Sequence, residues 1–377
     1  MNPFAGIMKW IPSLYPLVLL LCGCAAQLKT SGPFAVAVDI NPELDIDSLH
    51  RSYQDGSSKD YLAISGSQVN QDLILGGFER FVTWQRGALP SYRLRDNFTA
   101  LGYFQQNTTQ AVSELCDRNR KFLALAAALR RDKPVDDIQC KNGDLIRAIP
   151  LGHDAKVFAV SARNSFAQSI NLEVLAKASR QANGALRWSD LNPDWPARPV
   201  RWVFPVQLPF TTHMKRLGIE LPKKFLLATN YTGIFNSGYE DPDVLIFTYF
   251  SPSLNAQLKG SRFRLLPVQA GKDLPVVMPT PLTINVNYPE TLKTDIVMYI
   301  NRGREDSCIA MAFAGFLLNF NQPILLEYNM APLDAVERKR QLDRLDKIFN
   351  STSSSTTIFC QRTWPVMSPS GQVGAAF

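Results

Sequence analysis

The chain has 377 residues, 46% of them hydrophobic and 19% charged, with a formal net charge of +7. That length is too great for one small core and suits two domains of common size, and the apolar share predicts a sizeable buried interior. The basic excess is spread without a dense Lys/Arg block, which argues against nucleic acid as the partner and slightly favours an anion.

The first element is a leader. Met1 to Pro16 carry one basic side chain, Lys9, and no acid; Leu17-Val18-Leu19-Leu20-Leu21 is apolar, and Cys22-Gly23-Cys24-Ala25-Ala26 follows. A basic start, a short apolar run and small residues read as a secretory signal. The run falls well short of the roughly 20 residues that a spanning helix needs. Leu21-Cys22-Gly23-Cys24 resembles the bacterial lipobox, which implies a signal peptide over 1–24 and acylation of Cys24. The other reading is an ordinary signal cut near Ala26. Ala25, rather than Asp, follows the cysteine. In Gram-negative lipoproteins that pattern implies a periplasmic protein held at the outer membrane. Several lipid chains make a stable anchor, since each buried methylene contributes about 0.8 kcal/mol.

Residues 25–58 read as a tether carrying one strand at Phe34-Ala35-Val36-Ala37-Val38. Tyr61-Leu62-Ala63-Ile64 is a strand stopped by Ser65-Gly66-Ser67, and Leu73, Phe78, Phe81 and Trp84 recur at roughly helical spacing. Strand, small-residue turn and helix form the first α/β unit. A short strand is expected at Tyr92-Arg93-Leu94 and a helix over Thr108 to Leu115. Phe122 to Leu129 is apolar throughout; propensity favours a helix, but a buried parallel strand is equally acceptable. Leu145 to Pro150 and Ala155 to Val160 read as two strands separated by Leu151-Gly152-His153-Asp154, and Asn171 to Gln181 as an amphipathic helix. Ala331 to Ile348 reads as a charge-rich helix with a solvated face. Ser351 to Thr357 is a low-complexity loop, and the chain ends in a loose tail. The alternation argues α/β.

Four cysteines lie beyond the leader: Cys116, Cys140, Cys308 and Cys360. An even count in an oxidising compartment suggests two disulfides. Three connectivities exist; Cys116–Cys140 with Cys308–Cys360 is favoured, because each pair closes a local loop. His50, His153 and His213 lack ligand-type spacing, so no metal site is expected. No cofactor is implied. The chain carries no nucleophile elbow, Gly-rich phosphate loop or HExxH, so it does not read as an enzyme.

Several blocks carry a resemblance. Asp144 to Ala155 is followed by Phe158 to Ser165. Leu172 to Lys177 precedes Leu186-Arg187-Trp188-Ser189-Asp190-Leu191-Asn192-Pro193. Val276 to Pro281 precedes Tyr288 to Asn301, and Phe313 to Leu333 contains Gln322 and Tyr328-Asn329-Met330-Ala331-Pro332-Leu333. In this order the blocks resemble the phosphate-binding periplasmic proteins of ABC transporters. The resemblance covers about half the chain clearly. It implies a type II periplasmic-binding-protein-like fold: two mixed sheets flanked by helices, joined by two hinge crossings. Lobe I would comprise 59–151 plus 278–359, lobe II 152–277, and 360–377 a C-terminal tail. Trp188, Phe247, Tyr249 and Phe250 read as packing residues, and Pro279 and Pro281 as shapers of a hinge strand.

The resemblance also implies a ligand, a small oxyanion such as phosphate, and a partner, an ABC permease. Tetrahedral anions are held by converging hydroxyls and by backbone N–H groups at helix N-termini. Carried over position by position, the family's anion site falls on Ser65, Gly66 and Ser67, on Thr99, on Arg130, and on Thr211 and Thr212. The family's aspartate is absent near Arg130, and Phe210 stands where the family places a glycine. The alternative is a structural or interaction module at the outer membrane that reuses the fold with a degenerate site.

Overall fold

The computed structural model describes residues 35–39, 61–67, 70–88, 100–105, 108–117, 126–131, 135–205, 209–228, 239–250, 254, 258–260, 262–301, 307–319 and 322–350. The leader with Cys24, the expected strand at Tyr92 to Leu94, Ser351 to Thr357 and the tail lie outside these residues.

Fifteen strands alternate with helices in the described residues. The strands are β1 (Ala35–Asp39), β2 (Tyr61–Gly66), β3 (Ala100–Gln105), β4 (Ala126–Arg131), β5 (Ile138–Gln139), β6 (Leu145–Ser161), β7 (Ile170–Asn171), β8 (Arg201–Pro205), β9 (Phe225–Ala228), β10 (Val244–Tyr249), β11 (Phe263–Leu266), β12 (Val268–Gln269), β13 (Val276–Val277), β14 (Lys293–Asn301) and β15 (Ala331–Pro332). The helices are α1 (Gln71–Ala88), α2 (Thr108–Cys116), α3 (Leu172–Gln181), α4 (Trp188–Leu191), α5 (Phe210–Arg216), α6 (Pro281–Val286), α7 (Ser307–Asn319), α8 (Gln322–Glu327) and α9 (Ala335–Asn350).

Local chemistry sets several of these limits. The Asn171 side chain caps α3 by accepting from the Val174 N–H at 3.0 Å. Thr280 and Thr283 form a reciprocal cap at the start of α6, with Pro281 pre-set in its first turn. The strand at 126–131 resolves the ambiguity of the apolar run. Ala126 to Leu129 are fully buried, and Ala126 to Ala128 are paired on both sides, by β2 and β14, so tertiary pairing overrides the helix propensity of alanine and leucine. Ala310 to Leu318 of α7 are buried all round, as an interior helix requires.

The ladders run in the order β1-β3-β2-β4-β14-β6-β10-β8-β9, with β5, β11 and β15 also on β6; β13-β12-β7 forms a separate small sheet. β6 is one continuous strand of 17 residues, not the two expected. Its first part pairs with β14 and its last part with β10 and β11, so it belongs to both halves of the main sheet. The pairing with β14 slips by one residue at Ile296/Val297, a bulge that leaves Leu151 unmatched.

The buried residues form three groups. One gathers Ile64, Phe78, Phe81, Leu151, Ile296, Phe313 and Leu345 under α1, α7 and α9. A second covers the opposite face of that sheet with Ala111 and Leu115 of α2, Leu129, Ile146 and Tyr299. The third is built from Phe158, Trp188, Trp202, Phe204, Ile246 and Phe247, and it takes in Ile284, Tyr288 and Leu292. Trp188 meets Phe166 and Trp195 edge-on, with centroids 5.3 and 6.0 Å away, and serves packing.

Strand direction places the loops. β2 and β4 are parallel, β14 is antiparallel to β4, and β6 is antiparallel to β14, so β6 runs with β2. β10 opposes β6 and β8 runs with β10, so β8 opposes β2. The C-terminal ends of β2 and β8 therefore both point toward the β6–β14 crossing, where ligands of open α/β sheets bind.

Candidate functional site

Ser65, Gly66 and Ser67 close β2. Ser65 and Gly66 pair with Ala127 and Ala128 on one side and with Phe104 and Gln105 on the other. Ser65 is fully buried, and neither its hydroxyl nor the buried hydroxyl of Ser67 has a hydrogen-bond partner. An unpaired buried hydroxyl costs about 1–3 kcal/mol, so two in succession demand an account.

Gly66 is required by close approach. A Cβ there would fall 2.3 Å from the Ala128 carbonyl oxygen and 2.5 Å from the Tyr103 hydroxyl. That hydroxyl donates to the Ser67 carbonyl at 2.7 Å. The Asn70 amide, fully buried at the entry to α1, donates to the Ala128 carbonyl at 2.9 Å. Tyr103 and Asn70 thus fix the turn so that its two serine hydroxyls stay unspent. Sequence reading missed both, because each acts through the fold on a residue of another strand.

Thr211 and Thr212 lie exposed in the first turn of α5, directly after β8. Phe210 does not stand alone at the turn. Its ring stacks on Phe204 at 4.5 Å and meets Phe225 edge-on at 5.2 Å, so it is spent on the core of its own sheet. His213, one residue on, is buried beside the rings of Phe247 and Tyr249. By ladder direction β2, which ends at the Ser65–Ser67 turn, and β8, which precedes the Thr211–Thr212 turn, run toward the crossing from opposite directions. The backbone of Arg130 pairs with Ile296 in the β4–β14 ladder. The Arg130 side chain and all of Thr99 lie outside the described residues.

The crossing of β6 and β14 is polar. The His153 Nδ1 and Asp295 Oδ1 atoms are 2.6 Å apart across it. Asp154 and Lys156 are fully buried there. The Tyr288 hydroxyl donates to the Lys156 carbonyl at 2.9 Å. Burial, reinforced by the negative charge of Asp154, pushes the Tyr288 phenol far above its ordinary value, so it stays a neutral donor.

Cys116 and Cys140 are joined in a disulfide that ties α2 to the loop before β6. The Asn142 amide donates to the Cys116 carbonyl at 2.8 Å and steadies that loop. The side chain of Cys308 and all of Cys360 lie outside the described residues. Among the described residues no His, Cys, Asp and Glu cluster has the makings of a metal site, and no helix is long and apolar enough to cross a membrane.

This arrangement, two mixed halves of parallel and antiparallel strands that share the long strand β6, defines a two-lobed α/β fold of the type II periplasmic-binding-protein kind. Solved structures share it. One, described as a possible phosphate binding protein from Planctomyces limnophilus, is 14% identical, with a TM-score of 0.50, over 76% of this chain and 98% of that one. A candidate phosphate ABC transporter substrate-binding protein from Clostridium perfringens, with phosphate bound, is 12% identical, with a TM-score of 0.54, over 73% and 100%. An ABC-type phosphate transport receptor from Vibrio cholerae is 12% identical, with a TM-score of 0.50, over 72% and 100%. No protein-family model and no curated protein sequence matches the chain. At these identities the likeness is one of fold.

Proposed function

We propose that the protein is a solute-binding protein whose cleft takes a small tetrahedral oxyanion, phosphate being the first candidate. The observation that carries this reading is the pair of buried, unpartnered hydroxyls of Ser65 and Ser67 at the C-terminal end of β2. An anion arriving there would accept from both, and would draw further donors from the exposed Thr211 and Thr212 across the cleft. Thr99 and Arg130 complete the proposed set, Arg130 as a bidentate partner. The bound phosphate in the Clostridium structure supports the ligand class by fold analogy. Phe210, which favoured a degenerate site, is accounted for by its stack on Phe204.

The proposed lobes are 59–151 with the returning segment, and the intervening 152–277. Because Ile284, Tyr288 and Leu292 pack with the second lobe's core, the return crossing is best drawn near Leu292 rather than at Met278. The proposed setting is the periplasm, with a lipid on Cys24, and the proposed partner is an ABC permease that accepts the released anion. Calorimetric titration with phosphate and sulfate tests the reading. Saturable heat with one of them, lost in the Ser65→Ala/Ser67→Ala variant, supports it. Absence of heat and of any thermal shift with both removes it.

A further inference from the structure

The far end of the β6-β10-β8-β9 half of the main sheet carries a surface that the proposed anion site does not use. Among the described residues β9 is the edge strand beyond β8 in the ladder order. Phe225, Leu226 and Leu227 are 37, 48 and 50% exposed, so large apolar side chains emerge on both faces of this strand, and Leu221 in the loop before it is 38% exposed. Basic residues rim it. Lys215 and Arg216 end α5, Lys223 and Lys224 lead into β9, and Arg180 ends α3. These segments are knit together. The Arg180 guanidinium donates to the Gly218 carbonyl at 2.9 Å, the Lys223 N–H to the Gly184 carbonyl at 3.1 Å, and the Glu220 N–H to the Ser179 hydroxyl at 3.0 Å. Glu220 is the one acid between Lys215 and Leu227. Helix dipoles account for Arg180, Lys215 and Arg216. They do not account for Lys223 and Lys224, which precede a strand, or for the exposed leucines. Lys215, Lys223 and Lys224 have no ionic partner among the described residues.

We infer that this end is a docking surface for an anionic lipid bilayer. Leucine and phenylalanine side chains enter the headgroup boundary while lysines reach the phosphates. A second copy of the chain is disfavoured, because two lysine rims would face each other. Strand addition by an acidic peptide is disfavoured too. β9 offers only four residues, and recognition by strand addition needs pockets for alternate side chains, not apolar groups on both faces. A bilayer takes both faces at once. Phe225 pairs with Trp202 toward the N-terminal end of β8, and Leu226 and Leu227 follow opposite Val203 and Phe204, so the surface runs along β9 from the end away from the crossing.

Co-sedimentation of the full chain with phosphatidylcholine vesicles, with and without phosphatidylglycerol, reads the inference directly. The leader contributes equally to every variant. The wild type is expected to partition more strongly onto the anionic vesicles, and less so as salt rises. Lys215→Gln/Lys223→Gln/Lys224→Gln is expected to lower that partitioning roughly a hundredfold, at about fivefold per lysine. Leu226→Ser/Leu227→Ser should weaken binding to both vesicle types, with melting temperature unchanged. Lys339→Gln/Arg340→Gln on α9 should leave it unaltered. Equal partitioning of wild type and the lysine variant overturns the inference. So does a Leu226-dependent dimer in sedimentation equilibrium, or retention by poly-glutamate without retention by anionic vesicles.

Discussion

At Ser65 the proposed site and the stability of the fold pull in opposite directions. A buried hydroxyl without a partner destabilises the empty protein, so removing it should help folding and harm binding. Ser65→Ala is expected to raise unfolding free energy by about 1 kcal/mol in urea titration, with oxyanion affinity reduced. A loss of stability would mean that the hydroxyl is bonded to the protein after all. Gly66→Ala should act the other way. Its methyl would meet the Ala128 carbonyl and the Tyr103 hydroxyl, and overpacking of this kind costs about 1–3 kcal/mol. A melting temperature equal to wild type would contradict the close approach. The Ser-Gly-Ser turn was readable in the sequence because small residues after an apolar run are a local signal. Tyr103 and Asn70 were not, since what they do depends on which carbonyl each meets across strands.

Among the elements, local signals set type better than extent. α1, α2 and α3 fall within a few residues of their expected spans, since amphipathic spacing and caps are encoded in consecutive residues. β6 shows the limit. Leu151-Gly152-His153-Asp154 looks like a turn, yet the strand runs through it, because β14 and β15 both pair with it there. Gly152 serves a close approach: a Cβ would lie 2.7 Å from the Ala331 carbonyl oxygen of β15. Two devices pin β6 to its neighbours. The disulfide closes a separation of 24 residues, and Cys116→Ser/Cys140→Ser is expected to lower stability by about 3 kcal/mol in denaturant titration. The other device is Asp137, which accepts from Arg147 at 2.7 Å, from the Ala148 N–H at 2.9 Å, and from Arg344 of α9. Burial would raise its carboxyl, but the Ala148 N–H and the two guanidinium groups outweigh burial and hold it below the usual carboxylate range. Its contribution is therefore complete above about pH 4 and is lost as pH falls through the depressed value. Asp137→Asn should flatten the acid limb of the stability profile; an unchanged limb would show that the cluster does not anchor α9.

Considered whole, the molecule was more readable in its architecture than in its limits. Several sequence blocks in order resembled one family, and the ladder order delivers its fold, since shared crossing strands impose long-range order that short blocks can report. Pro279 and Pro281 looked like hinge punctuation; Pro281 opens α6, whose Ile284 packs into the second core, and the proposed return crossing near Leu292 rests on that packing. The crossing itself combines paired polar groups, His153 with Asp295, and a bulge at Leu151. A hinge there would let the lobes close on a ligand. Small-angle scattering should then show a smaller radius of gyration with saturating phosphate than without; an identical curve would argue against closure.

The most direct measurement is a crystal structure grown with phosphate. The account predicts a tetrahedral anion in the cleft, within hydrogen-bond distance of the Ser65 and Ser67 hydroxyls and met from the far side by Thr211 or Thr212. A cleft without the anion, with both serine hydroxyls bonded to protein groups, would contradict it.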